Sequence, residues 1–177
     1  MKFVTNRMLY PRKTIDFPNK DSVKGQSDFA EGLFNIGGVK TVFIANNFVT
    51  IGKEDQMVDW YELVAYFKDY IKSYIEADKP IVNEEVVSKF IVETAVPEDD
   101  NPIVAKIKDL LKRYVQPAVE MDGGSIVFRS YADGIVSLGM QGACSGCPSS
   151  SVTLKAGIES MMKRMIPEVK EVVAESI

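Results

Sequence analysis

Apolar residues fall into alternating runs of period two and into helical runs of period 3.6, and both patterns occur in each half of the chain. Phe3-Val4 and Thr14-Ile15-Asp16-Phe17 alternate as short strands, with Pro11 and Pro18 as punctuation. Ser27 can cap a helix carrying Phe29, Leu33 and Phe34, which Gly37-Gly38 stops. Val39 to Ile44 and Phe48 to Ile51 read as two strands joined by a hairpin turn at Asn46-Asn47, since Asn tolerates φ > 0. Trp60, Leu63, Val64, Phe67, Ile71, Tyr74 and Ile75 recur on one face and predict an amphipathic helix over 57–76.

The pattern breaks over 79–100. Lys and Arg number two there against six Asp and Glu, with Pro80 and Pro97 near the ends, so the stretch reads as an acidic linker. Val86, Val87, Phe90, Ile91 and Val92 complicate that reading, because they suit a short helix or a segment docked on a domain. Periodicity resumes with Asn101 as a cap and Pro102 at the first helical position. Ile103, Ile107, Leu110, Leu111 and Tyr114 share a face of that helix, and Pro117 ends or kinks it. Gly123-Gly124 turns the chain into a strand around Ile126 and Phe128, and Asp133-Gly134 turns it into a second around Ile135 to Met140. A helix from Pro148 follows, with Leu154, Ile158, Met161 and Met165 on one face, and Val169 to Ala174 is a last strand. The expected class is α+β: two small α+β domains, 1–78 and 101–177, joined by the acidic linker 79–100, the second in α-β-β-α-β order.

Composition narrows the function. The 177 residues are 46% hydrophobic and 26% charged, enough for two ordinary cores. A net charge of −4 argues against a general nucleic-acid binder. No apolar run approaches the roughly 18 residues that a membrane span needs, so no membrane partner is expected. Lys2, Arg7, Arg12 and Lys13 precede the first acid, Asp16, in the manner of a transit peptide, yet the strand-like alternation reads as folded protein. Two cysteines make no disulfide framework, and the expected location is a reducing cytoplasm. There is no histidine, the commonest general base, and no paired-carboxylate, Ser/His/Asp or phosphate-loop pattern, so an enzyme is not expected.

The chemistry concentrates in Gly142-Ala143-Cys144-Ser145-Gly146-Cys147-Pro148, which holds both cysteines as C-x-x-C. Gly142 and Gly146 let backbone approach the sulfurs, and Pro148 places Cys147 at a helix start, where free N–H groups favour thiolate. Zinc and iron–sulfur clusters ordinarily take four ligands. With two thiols per chain and no histidine, such a site needs two chains, most simply a homodimer about a two-fold axis. A site shared between subunits suits a protein that passes its metal on. Zinc accepts the same thiolates, and a thiol–disulfide redox pair also places C-x-x-C before a helix. Against the redox reading, a hairpin precedes the motif where that fold has a βαβ unit. Among neighbours, Asp122 suits an Asx-type turn, and Met140, Met161, Met162 and Met165 suit core packing or a partner surface better than a soft-metal box. Arg129 and Lys155 read as solvated surface, and Trp60, Tyr61, Tyr66 and Tyr70 as core and helix-surface aromatics.

The run Val115 to Gly124, the cysteine loop through Ser150, Thr153 to Glu159, and Ile166-Pro167-Glu168-Val169 closely resemble the C-terminal domain of the NifU family. Leu33 to Val39, Val42-Phe43-Ile44 and Phe48 to Ile51 resemble the N-terminal domain of Nfu-type scaffold proteins. Ser125 stands where the family often has Asp or Asn, and the cysteine-rich scaffold domain of full-length NifU has no counterpart. The resemblance implies an iron–sulfur cluster carrier. Cys144 and Cys147 of two chains would ligate a [4Fe–4S] cluster, with [2Fe–2S] as an alternative form. Such a carrier would receive its cluster from an upstream assembly scaffold and deliver it to apo iron–sulfur proteins, with the N-terminal domain helping to recognise partners.

Overall fold

The computed structural model describes residues 1–53, 59–85, 101–144 and 148–176. The chain divides into two compact units, Met1–Ala95 and Val96–Ile177. Both mix helices with a small sheet, the α+β class expected from the two periodicities. Of the acidic stretch 79–100, residues 86–100 lie outside the described residues, and so do residues 57 and 58 of the expected helix.

The first unit is a four-stranded antiparallel sheet in the order β1-β4-β3-β2, from β1 (Lys2–Val4), β2 (Tyr10–Phe17), β3 (Val39–Asn46) and β4 (Phe48–Lys53). Helices α1 (Asp28–Asn35) and α2 (Trp60–Glu76) pack on it, and Leu9, Val23 and Val82 from connecting segments join the same core. Val42, Ile44, Val49, Ile51 and Phe3 alternate along their strands and pack with Phe29, Leu33, Phe67 and Ile71 from the helices. Phe43, Ala45 and Phe48, out of step by one residue, form a separate small cluster. The Ser27 hydroxyl accepts from the Ala30 N–H at 3.0 Å and donates to the Ile81 carbonyl, so one cap also ties the chain after α2 to α1. The turn between β3 and β4 differs from the expected one. Neither Asn46 nor Asn47 has positive φ. Their carbonyls are instead held by Leu9 N–H at 2.6 Å and Thr5 N–H at 2.8 Å, contacts more than 35 residues distant in sequence.

The second unit starts with α3 (Pro102–Leu110), capped by Asn101, whose side chain accepts from Ile103 N–H at 2.9 Å. A π-helical turn spans Leu111–Val115, and α4 (Gln116–Met121) continues it. Pro117 therefore does not end the helix; the wider π turn just before it, rather than a break, accommodates its ring. The wider turn ahead of it rotates the buried face. Val115 goes inside, and Tyr114, expected on the apolar face, is 57% exposed. Strands β5 (Gly124–Ala132) and β6 (Ile135–Gly142) pair antiparallel through Asp133 (φ 54°) and Gly134 (φ 88°), the left-handed pair the Asp-Gly dipeptide favours. Helix α5 (Pro148–Met165) carries the chain to β7 (Glu171–Ser176), parallel to β6. Val169 and Lys170 are spent on turn bonds to Ile166 and Gly134, so this strand starts two residues later than its apolar pattern suggests. On α5 the inward positions are Ile158 and Met162, leading to Ile166, whereas Met165 is 47% exposed. No helix among the described residues is long and apolar enough to cross a membrane.

Phe67 is fully buried, with Phe3 and Trp60 at ring-centroid distances of 5.8 and 5.7 Å. Phe67→Ala is expected to destabilise the first unit by about 3–5 kcal/mol. Urea unfolding followed by the fluorescence of Trp60, the only tryptophan, reads this directly; an unmoved midpoint would contradict the packing.

Candidate metal centre

Cys144 is placed by two glycine-dependent turns. Gly123 (φ 86°) ends α4 and starts β5, and Gly142 (φ 65°) turns the chain out of β6. Gly124 pairs with Gly142 across the sheet, and Ala143 donates to the Gly123 carbonyl at 3.3 Å. The thiol two residues further on folds back over the start of β5. A Cβ at position 124 would lie 2.5 Å from Cys144 Sγ and 2.8 Å from the Gln141 carbonyl oxygen. Side-chain space is thus absent at 124, so only glycine fits without displacing the loop.

Cys144 is a free thiol, 8% exposed, at the edge of the core formed with Val119, Ile126 and Met140. It lines a hollow of about 260 Å³ with Ala118, Val119, Asp122, Ala143 and Leu154. Burial pushes the thiol above its ordinary range, and the Asp122 carboxylate adds to the effect. Asp122 closes α4 through its backbone, and no Asx-type turn bond from its side chain is found among the described residues. Gln116 ties the helix that contributes Ala118 and Val119 to the start of β5. Its amide nitrogen donates to Glu120 at 2.7 Å and to the Ser125 hydroxyl at 3.2 Å, and its oxygen accepts from Ile126 N–H at 3.3 Å. These bonds hold α4 on the first residues of β5, beside Gly124.

Of the two cysteines singled out in the sequence, the structure places Cys144 in this hollow, and Cys147 lies outside the described residues with Ser145 and Gly146. Helix α5 begins at Pro148, directly after them, so the loop leads into a helix N-terminus. Among the described residues, no group of three or more Cys, Asp, Glu or His converges as a metal site. Met140 and Met162 are buried in the core. Two positioning residues escaped the sequence analysis. Gln116 is polar at the start of a helix segment, an ordinary place for it. Gly124 shows in sequence as half of a turn, and its contact with Cys144 emerges only once β5 and β6 are paired.

Gly124→Ala is expected to cost about 1–3 kcal/mol, because the new methyl must displace the loop. Gly157 lies inside α5 with nothing within 4 Å of the place a methyl would take, and Gly157→Ala should instead add about 0.5–1 kcal/mol. Thermal unfolding of the two variants checks the contrast. A second expectation concerns pH. The fold favours the neutral Cys144 thiol, so its contribution to stability is complete below pH 9.0 and is lost as pH rises through the higher folded value. Asp122→Asn removes one cause of that rise, so alkylation of Cys144 at mildly alkaline pH should be faster than in the parent. Equal or slower alkylation would contradict the electrostatic contact.

The comparisons with known proteins agree with this layout. Residues 107–173 match the model of the NifU-like domain, and residues 1–78 match that of the scaffold protein Nfu/NifU N-terminal domain. The chain is 38% identical over 172 residues to the human NFU1 iron-sulfur cluster scaffold homolog, mitochondrial, covering 97% of this chain and 66% of that protein. It is 42% identical over 176 residues to NifU-like protein 4, mitochondrial, of Arabidopsis thaliana (95% and 61%). It is 41% identical over 173 residues to the Drosophila ananassae NFU1 homolog (97% and 59%). The chain thus spans less than two thirds of the length of these relatives. Their names are mitochondrial, which overturns the expected cytoplasmic location. That expectation rested on cysteine economy, which marks a reducing compartment without saying which one. With both of its units matched in order, the chain belongs to the Nfu/NifU-like family.

Proposed function

We propose that this protein carries an iron–sulfur cluster as cargo, held by Cys144 and Cys147 from two copies of the chain and delivered to apo-proteins. The observation that carries the reading is the NifU-like match over 107–173, which contains the only two thiols of a chain without histidine. The names of the relatives add a scaffold role and a mitochondrial setting. In this reading residues 1–78 and 101–177 are the working domains, with 79–100 as linker.

The residues around Cys144 fit such cargo. Ala118, Val119, Ala143, Leu154 and Asp122 wall a hollow beside the sulfur, and bare backbone at Gly124 lies under it. A four-thiolate set accepts either a [4Fe–4S] or a [2Fe–2S] cluster, and the family resemblance favours [4Fe–4S]. Each chain supplies half the ligands, so either copy can release its pair while the other still holds. Delivery is ligand exchange. An acceptor thiolate forms a new Fe–S bond as the bond to Cys144 or Cys147 breaks, the released thiolate takes up a proton, and the oxidation state of the cargo does not change. Nothing in this sequence requires acid–base chemistry on a substrate, so the protein acts as a carrier rather than an enzyme.

Anaerobic incubation with iron and sulfide tests the reading. The parent is expected to take up both and to activate an apo-enzyme that needs a cluster. Cys144→Ser and Cys147→Ser should each lose both properties while keeping the parent's circular dichroism. Retained uptake in either variant would refute the ligand assignment. Stable zinc with no iron uptake, or an intramolecular disulfide turned over by thioredoxin, would replace the carrier with one of the two rival chemistries.

A further inference from the structure

Strand β1 is an edge of the first sheet, and among the described residues no strand pairs with its outer side. Thr5 N–H bonds to the Asn47 carbonyl at 2.8 Å, and Ile51 N–H bonds to the Met1 carbonyl at 2.8 Å. Antiparallel pairs alternate, so Met1, Phe3 and Thr5 turn their backbone groups toward β4. Val4, which stands opposite Phe48, turns its N–H and C=O away from the sheet. Its side chain is 66% exposed.

Helix α2 runs alongside this edge, and together they line a groove of about 760 Å³. Ile71 and Ile75 form its apolar floor. Its charge is opposite in sign to that of the protein. Arg7, Lys68 and Lys72 line it against one acid, Glu76, in a chain of net charge −4, whereas the Lys2 ammonium lies over the Phe48 ring, 4.2 Å from its centroid. Arg7 pairs with Asp78 at 2.8 Å and donates to the Ile75 carbonyl at 3.2 Å, which closes one end. Lys72 reaches Glu76 only at 3.9 Å, and Lys68 pairs with no acidic residue among the described residues.

We infer that this groove is a docking site for an extended acidic segment of a partner protein, added to the sheet as a strand beside β1. The backbone edge supplies pairing, the apolar floor takes alternate side chains, and the lysines of α2 take carboxylates. An edge strand with a helix beside it is a geometry that selects an extended peptide over a folded surface or a lipid headgroup, since only a backbone can use the outward groups of Val4. The site lies in the first unit and does not depend on cluster binding at Cys144.

The test uses the full chain without iron and a short capped peptide of alternating Glu and Val, followed by amide NMR shifts. The peptide is expected to shift Val4 and the amides around Lys68 to Ile75. Val4→Pro removes the outward N–H and leaves the ladder to β4 intact, since proline is tolerated on an outward edge position. It should weaken binding about tenfold with an unchanged melting temperature. Lys68→Glu with Lys72→Glu should weaken it by a similar factor, about tenfold. Should Val4→Pro fail to fold, N-methylating the peptide at alternate residues tests the same bond on the parent: methylation in one phase should abolish binding, and in the other should not. No shift at Val4, equal binding of both methylated peptides, or binding of anionic phospholipid vesicles in preference to the peptide would each overturn the inference.

Discussion

The contact between Cys144 and Gly124 organises the second unit. A thiol folded back onto the start of a strand requires that strand to carry no side chain there, and a Cβ would lie 2.5 Å from the sulfur. The rest follows from that closeness. Gly123 and Gly142 must adopt left-handed φ so that α4 can enter β5, and β6 can leave, within one pairing distance of each other. Gln116 must hold α4 against β5, because a shift there would move the glycine away from the sulfur. The π-helical turn ahead of α4 accommodates the Pro117 ring and still brings Val115 and Val119 into the core. One small steric requirement thus links a helix, a hairpin and a loop that are up to some 30 residues apart.

Features with local causes were legible in the sequence. Ser27 and Asn101 cap through bonds spanning two or three residues, and Asp133-Gly134 makes its left-handed turn from its own preferences. The hydrophobic alternation gave each strand, and the C-x-x-C loop drew attention to Cys144. What the sequence hid has distant causes. The Asn46-Asn47 turn is shaped by Thr5 and Leu9. The exposure of Tyr114 follows from one extra residue in a helical turn, which no periodic template with a fixed 3.6 spacing can show. Met162 rather than Met165 points inward because α5 must meet β7 through Ile166. The location was misjudged for a different reason: thiol chemistry is the same in any reducing compartment.

The two units divide the physical work. The second sets the Cys144 thiol and the bare backbone of Gly124 beside one hollow. The first has no cysteine and offers instead an open strand edge, an apolar floor and lysines in an otherwise acidic chain. The proposed carrier role would use both abilities. Holding cargo calls for ligands that can be exchanged, and delivering it calls for a surface that selects the recipient.

With two thiols per chain, the proposed four-thiolate cargo site needs two copies of the chain. Native mass spectrometry of the anaerobically reconstituted protein reads this in one experiment. A species of two chains with about four irons and four sulfides is the expected result, and it should be missing from Cys144→Ser. A single chain retaining a complete cluster would contradict it.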